Sequence, residues 1–124
     1  MKCMARNGWV GLAAVALIAA ATSGCDNERK QECSQFVSAM KPLDDGMPSA
    51  DTVDSVSKQV ASIKFQDQPL GVYAENYRKT LTVLSNTLKL KASGSPPDGT
   101  DDVIKKNLKE ARTDKDDVQR YCSQ

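Results

Sequence analysis

The sequence predicts an all-α protein, a small up-down-up-down four-helix bundle closed by one disulfide. Apolar residues recur at spacings of three and four along four segments, which is the period of a helix. Short turn signals separate these segments, and short connections favour antiparallel neighbours. The chain has 124 residues, which is room for a single domain. We place that domain at residues 28–124.

The first predicted helix runs from about Glu28 to Lys41, where Pro42 ends it because the residue before a proline resists the helical conformation. A turn at residues 43–48 follows. Ser49 is a suitable N-cap for the second helix. The candidate core residues of these two helices are Cys33, Phe36, Val37, Met40, Val53, Val56, Val60 and Ile63.

The third predicted helix is the longest, from a first turn at Pro69 to about Ala92. The breaker at residues 93–99 ends it, and the fourth helix opens at Thr100 as its N-cap. Lys115 falls on the apolar stripe of this helix, and we expect its ammonium to reach water beyond the core. The candidate core residues of these helices are Leu70, Tyr73, Tyr77, Leu81, Leu84, Leu88, Ile104, Leu108, Ala111, Val118 and Cys122.

Two cysteines are expected to pair. Cys33 lies in the second turn of the first helix and Cys122 at the end of the fourth. Since an even number of antiparallel helices returns the chain to the end where it began, both thiols face inward at the same end. We therefore predict a Cys33–Cys122 disulfide, with two free thiols as the alternative. A redox-active pair is disfavoured because no C-x-x-C spacing is present.

The first 25 residues have the pattern of an export signal. Lys2 and Arg6 precede an uncharged apolar run at residues 10–21. That run is too short to span a membrane, which takes roughly 20 residues. Small residues follow at positions 22–24, and the chain turns polar directly after Cys25.

Residues 22–25, Thr-Ser-Gly-Cys, resemble the lipobox of bacterial lipoproteins, in which small residues precede a cysteine. Thr22 stands where most members have Leu or another aliphatic residue. The resemblance implies cleavage before Cys25, a diacylglycerol on its sulfur and an acyl chain such as palmitate on the new amino terminus. Residues 1–24 are then a signal peptide, and residues 25–27 a lipidated N-terminus and short tether.

An ordinary signal peptidase site after Ala21 or Ser23 is the alternative for this segment. Cysteine arithmetic favours lipidation. Cys3 leaves with the signal peptide, and acylation of Cys25 leaves two cysteines to pair, whereas an unmodified Cys25 leaves an odd number.

The residues that usually carry chemistry are few. The chain has no histidine, which removes the commonest general base and the usual zinc ligand. The spacing S-x-x-K occurs at Ser38/Lys41 and Ser55/Lys58 without the partner motifs of penicillin-recognising enzymes. Acidic pairs at residues 44/45, 101/102 and 116/117 are interpreted as solvated or capping groups. We predict no catalytic, cofactor-binding or metal-binding residue.

Charge is nearly balanced, at a formal +1 for the whole chain. This leaves no basic excess for a nucleic-acid partner. Lys105, Lys106, Lys109 and Arg112 form a modest basic strip on the fourth helix. Contact with anionic lipid headgroups is one interpretation. A mixed solvated helix is favoured, because acidic residues are interspersed in the same segment.

The sequence therefore predicts a membrane-anchored lipoprotein of the cell envelope, whose non-enzymatic helical domain has an interaction or structural role. The alternative is a periplasmic inhibitor or immunity-type protein that binds an enzyme or toxin. We expect membrane lipid as a partner through acylated Cys25, an unidentified protein partner, and no metal or cofactor. In some Gram-negative bacteria an aspartate at the position of Asp26 keeps lipoproteins in the inner membrane, but the rule is not general. The anchor could therefore lie in the inner or the outer membrane, with the domain on the periplasmic or outer side.

Overall fold

The structure, a computed structural model, describes the backbone of residues 15–124 and the side chains of residues 27–124. The predicted signal-peptide residues Lys2, Cys3 and Arg6 lie outside this range. The helices are α1 (Val15–Met40), α2 (Ala50–Ser62), α3 (Gln68–Ala92) and α4 (Thr100–Cys122), with a 3₁₀ turn at Lys41–Leu43. No helix in the described range is long and apolar enough to cross a membrane.

The helices form the predicted up-down-up-down bundle. Each packs beside the next along the chain, and α4 returns to pack beside α1. Within the described residues α2 and α4 lie on opposite sides and do not meet, whereas α1 and α3 touch across the centre. This arrangement brings residues 29–33 of α1 and the end of α4 to the same end of the bundle, as the disulfide requires.

All predicted apolar core residues are buried or partly buried. Phe36 lies at the centre, where its ring makes edge contacts with Phe65 and Tyr77 at centroid distances of 5.3 and 6.0 Å. Such edge-to-face pairs add about 0.5–1.5 kcal/mol beyond the area that they bury. Leu43 also belongs to the core, at 2% exposure, although the sequence places it in a turn. The 3₁₀ turn directs it inward.

Two helix starts differ from the prediction. α1 is already helical at Val15, the first residue whose backbone the structure describes, whereas the prediction begins this helix at Glu28. The N-cap of α4 is Gly99 rather than Thr100. Gly99 has a φ of +85°, in the left-handed region that glycine adopts freely, and the hydroxyl of Thr100 donates to the carbonyl of Pro97 at 2.6 Å.

The start of α2 agrees with the prediction. Ser49 is its N-cap, and its hydroxyl accepts a hydrogen bond from the backbone N–H of Thr52 at 3.1 Å. This bond satisfies one of the free donors at the helix start.

Candidate functional site

The predicted site residues meet at the end of the bundle where α1 enters it. We term this the Cys25 end. It comprises residues 29–33 of α1, the α2–α3 loop at residues 63–67 and the last turn of α4. Two helices and a loop meet here within a few positions of Cys25. The side chain of Cys25 lies outside the described ones.

Cys33 and Cys122 form the predicted disulfide across this end. Their Cα atoms are 5.9 Å apart, and 89 positions separate them in the chain. Cys33 is 7% exposed, and Cys122 is half-buried. The bond therefore ties the beginning of the domain to its last helix.

Glu32 is a buried carboxylate that the sequence analysis did not single out. Its Oε1 accepts a hydrogen bond from the backbone N–H of Gln66 at 2.6 Å, and its Oε2 accepts one from that of Asp67 at 3.1 Å. Hydrogen bonds to an ionised acceptor are among the stronger ones in proteins. Glu32 thus fixes the α2–α3 loop to α1. Its neighbour Cys33 marks an inward face, but no local signal indicates a loop partner.

Arg29 closes the end of α4. Its guanidinium donates to the carbonyl of Tyr121 at 2.7 Å and lies 4.3 Å from the centroid of the Tyr121 ring. The last carbonyls of a helix lack partners within it and attract positive charge. The guanidinium also gains a cation–π contact from the ring. Arg29 is four positions from Cys25, so the chain is held almost from the predicted anchor onward.

Tyr121 and Asp67 link the last turn of α4 to the start of α3. The Tyr121 hydroxyl donates to Asp67 Oδ1 at 2.9 Å, and the same oxygen accepts the Leu70 N–H at 3.1 Å, so Asp67 is also the N-cap of α3. Burial, followed by this hydrogen bond, raises the pKa of Tyr121 above its usual range. The Tyr121 hydroxyl thus joins the last turn of α4 to the N-cap of α3.

The serine–lysine pairs are separate from this end. Ser38, Lys41, Ser55 and Lys58 are all exposed. Ser55 borders a shallow, open depression between Pro42 and α2.

The acidic pairs each place one member in an ion pair. Asp101 Oδ1 lies 2.8 Å from Lys91 Nζ, which holds the pKa of Asp101 below its usual value. Asp117 Oδ1 lies 3.3 Å from Arg120. Asp44 accepts a hydrogen bond from the ammonium of Lys115. These contacts fit the solvated and capping roles expected for the pairs.

The prediction that the Lys115 ammonium reaches water is wrong. The side chain is only 11% exposed, and its ammonium binds Asp44 of the α1–α2 loop. The stem packs on the core as expected, but the loop supplies a carboxylate before the side chain reaches solvent. The sequence could not show this, because 71 positions separate the two residues.

The basic strip is divided in the structure. Arg112 donates to the carbonyls of Leu43 at 3.0 Å and Gly46 at 2.7 Å, so it holds the α1–α2 loop. Lys105, Lys106 and Lys109 are exposed. These lysines lie about 20–25 Å from the end of α4, at 1.5 Å per residue. That distance from the Cys25 end disfavours contact with headgroups beside the predicted anchor.

The chain was compared with protein-family models, curated proteins and solved structures, and it matches none of them. The residues at the Cys25 end hold the start of the domain to the last turn of α4 and to the α2–α3 loop.

Proposed function

We propose that this chain is a membrane-anchored bacterial lipoprotein of the cell envelope, whose helical bundle is a non-enzymatic interaction or structural module. The observation that carries the proposal is the N-terminal pattern that ends at Cys25: a basic start, a short apolar run and small residues before the cysteine. Acylation with two or three chains gives stable anchoring, whereas one chain binds marginally.

The disulfide supports an exported location. Disulfides form and persist in oxidising compartments such as the periplasm and the cell surface, and they are rare in the cytosol. The Cys33–Cys122 bond uses both cysteines of the domain. In a chain that begins at Cys25, this leaves one cysteine, at the position where the lipobox requires it.

The Cys25 end supports a role close to the membrane. Four positions from Cys25 to Arg29 span at most about 14 Å when fully extended. Arg29, Glu32 and Cys33 are each bound to another element, so the chain has no free length beyond Arg29. A bundle held in this way stays at the bilayer surface and presents its sides and its far end to partners.

Intact mass of the membrane-extracted protein, with and without reduction, tests the proposal. We expect a chain beginning at Cys25 that carries two or three acyl groups and gains two hydrogens on reduction. Cys25→Ser should abolish the added mass, whereas the matched control Cys3→Ser should leave it unchanged. An unacylated chain beginning at Met1, Thr22 or Gly24 would overturn the proposal.

A further inference from the structure

Two contacts fix the register of α3 against α4. At the Cys25 end the rings of Tyr73 and Tyr121 lie 5.8 Å apart. At the far end Lys91 and Asp101 form an ion pair at 2.8 Å. Because antiparallel helices have the same rise per residue, these two contacts determine which residues lie level with each other in between.

The residues between these contacts line the outer edge where the two helices meet, which we term the α3–α4 groove. From the Cys25 end outward, the level pairs are Asn76 with Asp117, Thr80 with Asp114, Val83 with Glu110, Thr87 with Asn107, and Leu90 with Val103. The groove is thus acidic from the Cys25 end to its middle, and apolar from its middle to the far end.

The apolar half is exposed. Val83, Leu90 and Val103 are 46%, 44% and 40% exposed. They are three of the five large apolar side chains that the described residues leave open to this degree. Their positions on facing edges of two packed helices gather them on one side of the molecule, as expected of a surface that another chain covers.

The acidic half of the groove is only partly compensated by basic groups. Glu110, Asp114 and Asp117 recur at spacings of four and three, so they share one edge of α4. Of the three, only Asp117 forms an ion pair, with Arg120. The α3 residues level with Asp114 and Asp117 are neutral. Partial burial, with Glu110 and Asp117 as neighbours, raises the pKa of Asp114 to about 6.

Most of the basic residues in the middle of α4 lie on a different side of the helix. At 100° per residue, Lys105, Lys109 and Arg112 face the α1–α2 loop side, where Arg112 binds that loop. The edge beside α3 carries Glu110, Asp114 and Asp117, with Lys106 one turn before Glu110 and Arg120 paired with Asp117. Carboxylates therefore outnumber basic groups along the groove.

We propose that the α3–α4 groove is the docking surface for a basic amphipathic helix of a partner protein. Leucine-like side chains of the partner would pack on Val83, Leu90 and Val103, while its lysines or arginines face the carboxylates of the groove. Between Val103 and Tyr121 the groove is about 27 Å long, which matches about five helical turns. The inference names a partner class for the bundle and rests on the proposed interaction role.

Two synthetic helical peptides of about 18 residues provide the probe, each with leucines on one stripe and either lysines or glutamates on the flanks. Dye-labelled peptide is titrated with the full lipidated protein in neutral phosphatidylcholine nanodiscs, with protein-free discs as the blank. We expect saturable one-to-one binding of the lysine peptide, weakened by salt, and no binding of the glutamate peptide.

Matched variants locate the binding. The triple variant E110Q/D114N/D117N should weaken affinity by about tenfold or more, and L90S/V103S should weaken it by a similar factor. The control D45N/D98N/D116N removes the same charge from exposed positions elsewhere, and its affinity should stay within about twofold of the wild type.

Three outcomes overturn the proposal. The first is the absence of saturable binding, and the second is an equal loss in the control triple, which indicates non-specific attraction. The third is self-association of the protein that the groove variants abolish, because a second copy would then be the occupant. A failure of the groove leaves the mass of the Cys25-linked lipid unchanged, so it can be told apart from a failure of the proposed anchoring.

Discussion

A single buried carboxylate organises a loop that is 34 positions away in the chain. Each of the two carboxylate oxygens of Glu32 accepts a hydrogen bond from a backbone N–H of the α2–α3 loop. A buried charge without partners would cost several kcal/mol, but here both oxygens are satisfied at once. The loop in turn places Asp67 to cap α3 and to receive Tyr121. One acidic side chain therefore supports contacts in three other elements.

Glu32→Gln is predicted to destabilise the domain by about 1.5–3 kcal/mol, the range for hydrogen bonds to charged groups. The substitution keeps the shape but turns an amide donor toward a backbone N–H. Urea unfolding followed by circular dichroism measures the change. The control Glu28→Gln lies exposed on the same helix and should shift stability by less than about 0.5 kcal/mol. Equal small losses in both variants would show that the Glu32 carboxylate is dispensable.

Asp114 differs from Glu32, because its ionised form is destabilised in the folded state. Partial burial raises its pKa from 3.8 to about 6, and Glu110 and Asp117 add to the effect. The folded state therefore binds more protons than the unfolded chain between these two values. Stability contributed by this group is present below the unfolded pKa and is lost as pH rises through the folded pKa.

Asp114→Asn is predicted to raise the Tm at neutral pH, and the gain should shrink as the pH falls through 6 toward 3.8. Thermal unfolding of the variant and the wild type at a series of pH values checks this. Asp116→Asn, an exposed neighbour on the same helix, is the control for the removal of one negative charge. A gain from Asp114→Asn that is the same at both ends of the pH range would contradict the pKa assignment.

At the scale of elements, local chemistry decides most helix ends. Pro42 and Ser49 predict the end of α1 and the start of α2, because each acts on its own backbone or on that of its nearest neighbours. Gly99 is the instructive exception. The pattern favours Thr100 as the cap, since its hydroxyl can accept a backbone N–H, but the left-handed backbone of Gly99 turns the chain one residue earlier.

Gly99 and Gly71 should therefore respond to alanine with opposite signs. Gly99→Ala forces a left-handed backbone on alanine at a cost of about 1–2 kcal/mol, although no atom lies within 4 Å of the added Cβ. Gly71 lies inside α3, where the Cβ would meet Phe65 Cβ at an ordinary 3.7 Å. Gly71→Ala should stabilise the domain by about 0.5–1 kcal/mol. Urea midpoints of the two variants would show the opposite shifts, and shifts of the same sign would contradict the backbone argument.

At the scale of the whole molecule, periodicity and parity were sufficient to predict the bundle and its disulfide. Parity works because it depends only on the number of helices and on their alternating direction. The network of Arg29, Glu32 and Tyr121 could not be predicted, because its contacts join residues that are distant in the chain. The position of the acidic edge of α4 beside α3 could not be predicted either. It depends on the register of the two helices, which follows from the Tyr73–Tyr121 and Lys91–Asp101 contacts.

The disulfide and the polar network act on different states of the chain. In the folded state, Arg29 and Glu32 already hold the start of the domain against α4 and the α2–α3 loop. The Cys33–Cys122 bond adds little to that geometry, but it closes a loop of 89 positions in the unfolded chain. The loop-entropy model assigns about 4–5 kcal/mol to such a closure. Total stabilities are about 5–15 kcal/mol, so the bond is a large share.

Cys33→Ser, Cys122→Ser and the double variant are predicted to lose the same stability, up to about 4–5 kcal/mol, because each removes the same covalent loop. Chemical unfolding of all three variants, compared with the wild type, measures the losses. Folded variants should keep the helical circular dichroism of the wild type, since the polar network persists. Losses that add up between the two single variants would place the effect in thiol packing instead. In that case the closed loop would not be what stabilises the bundle.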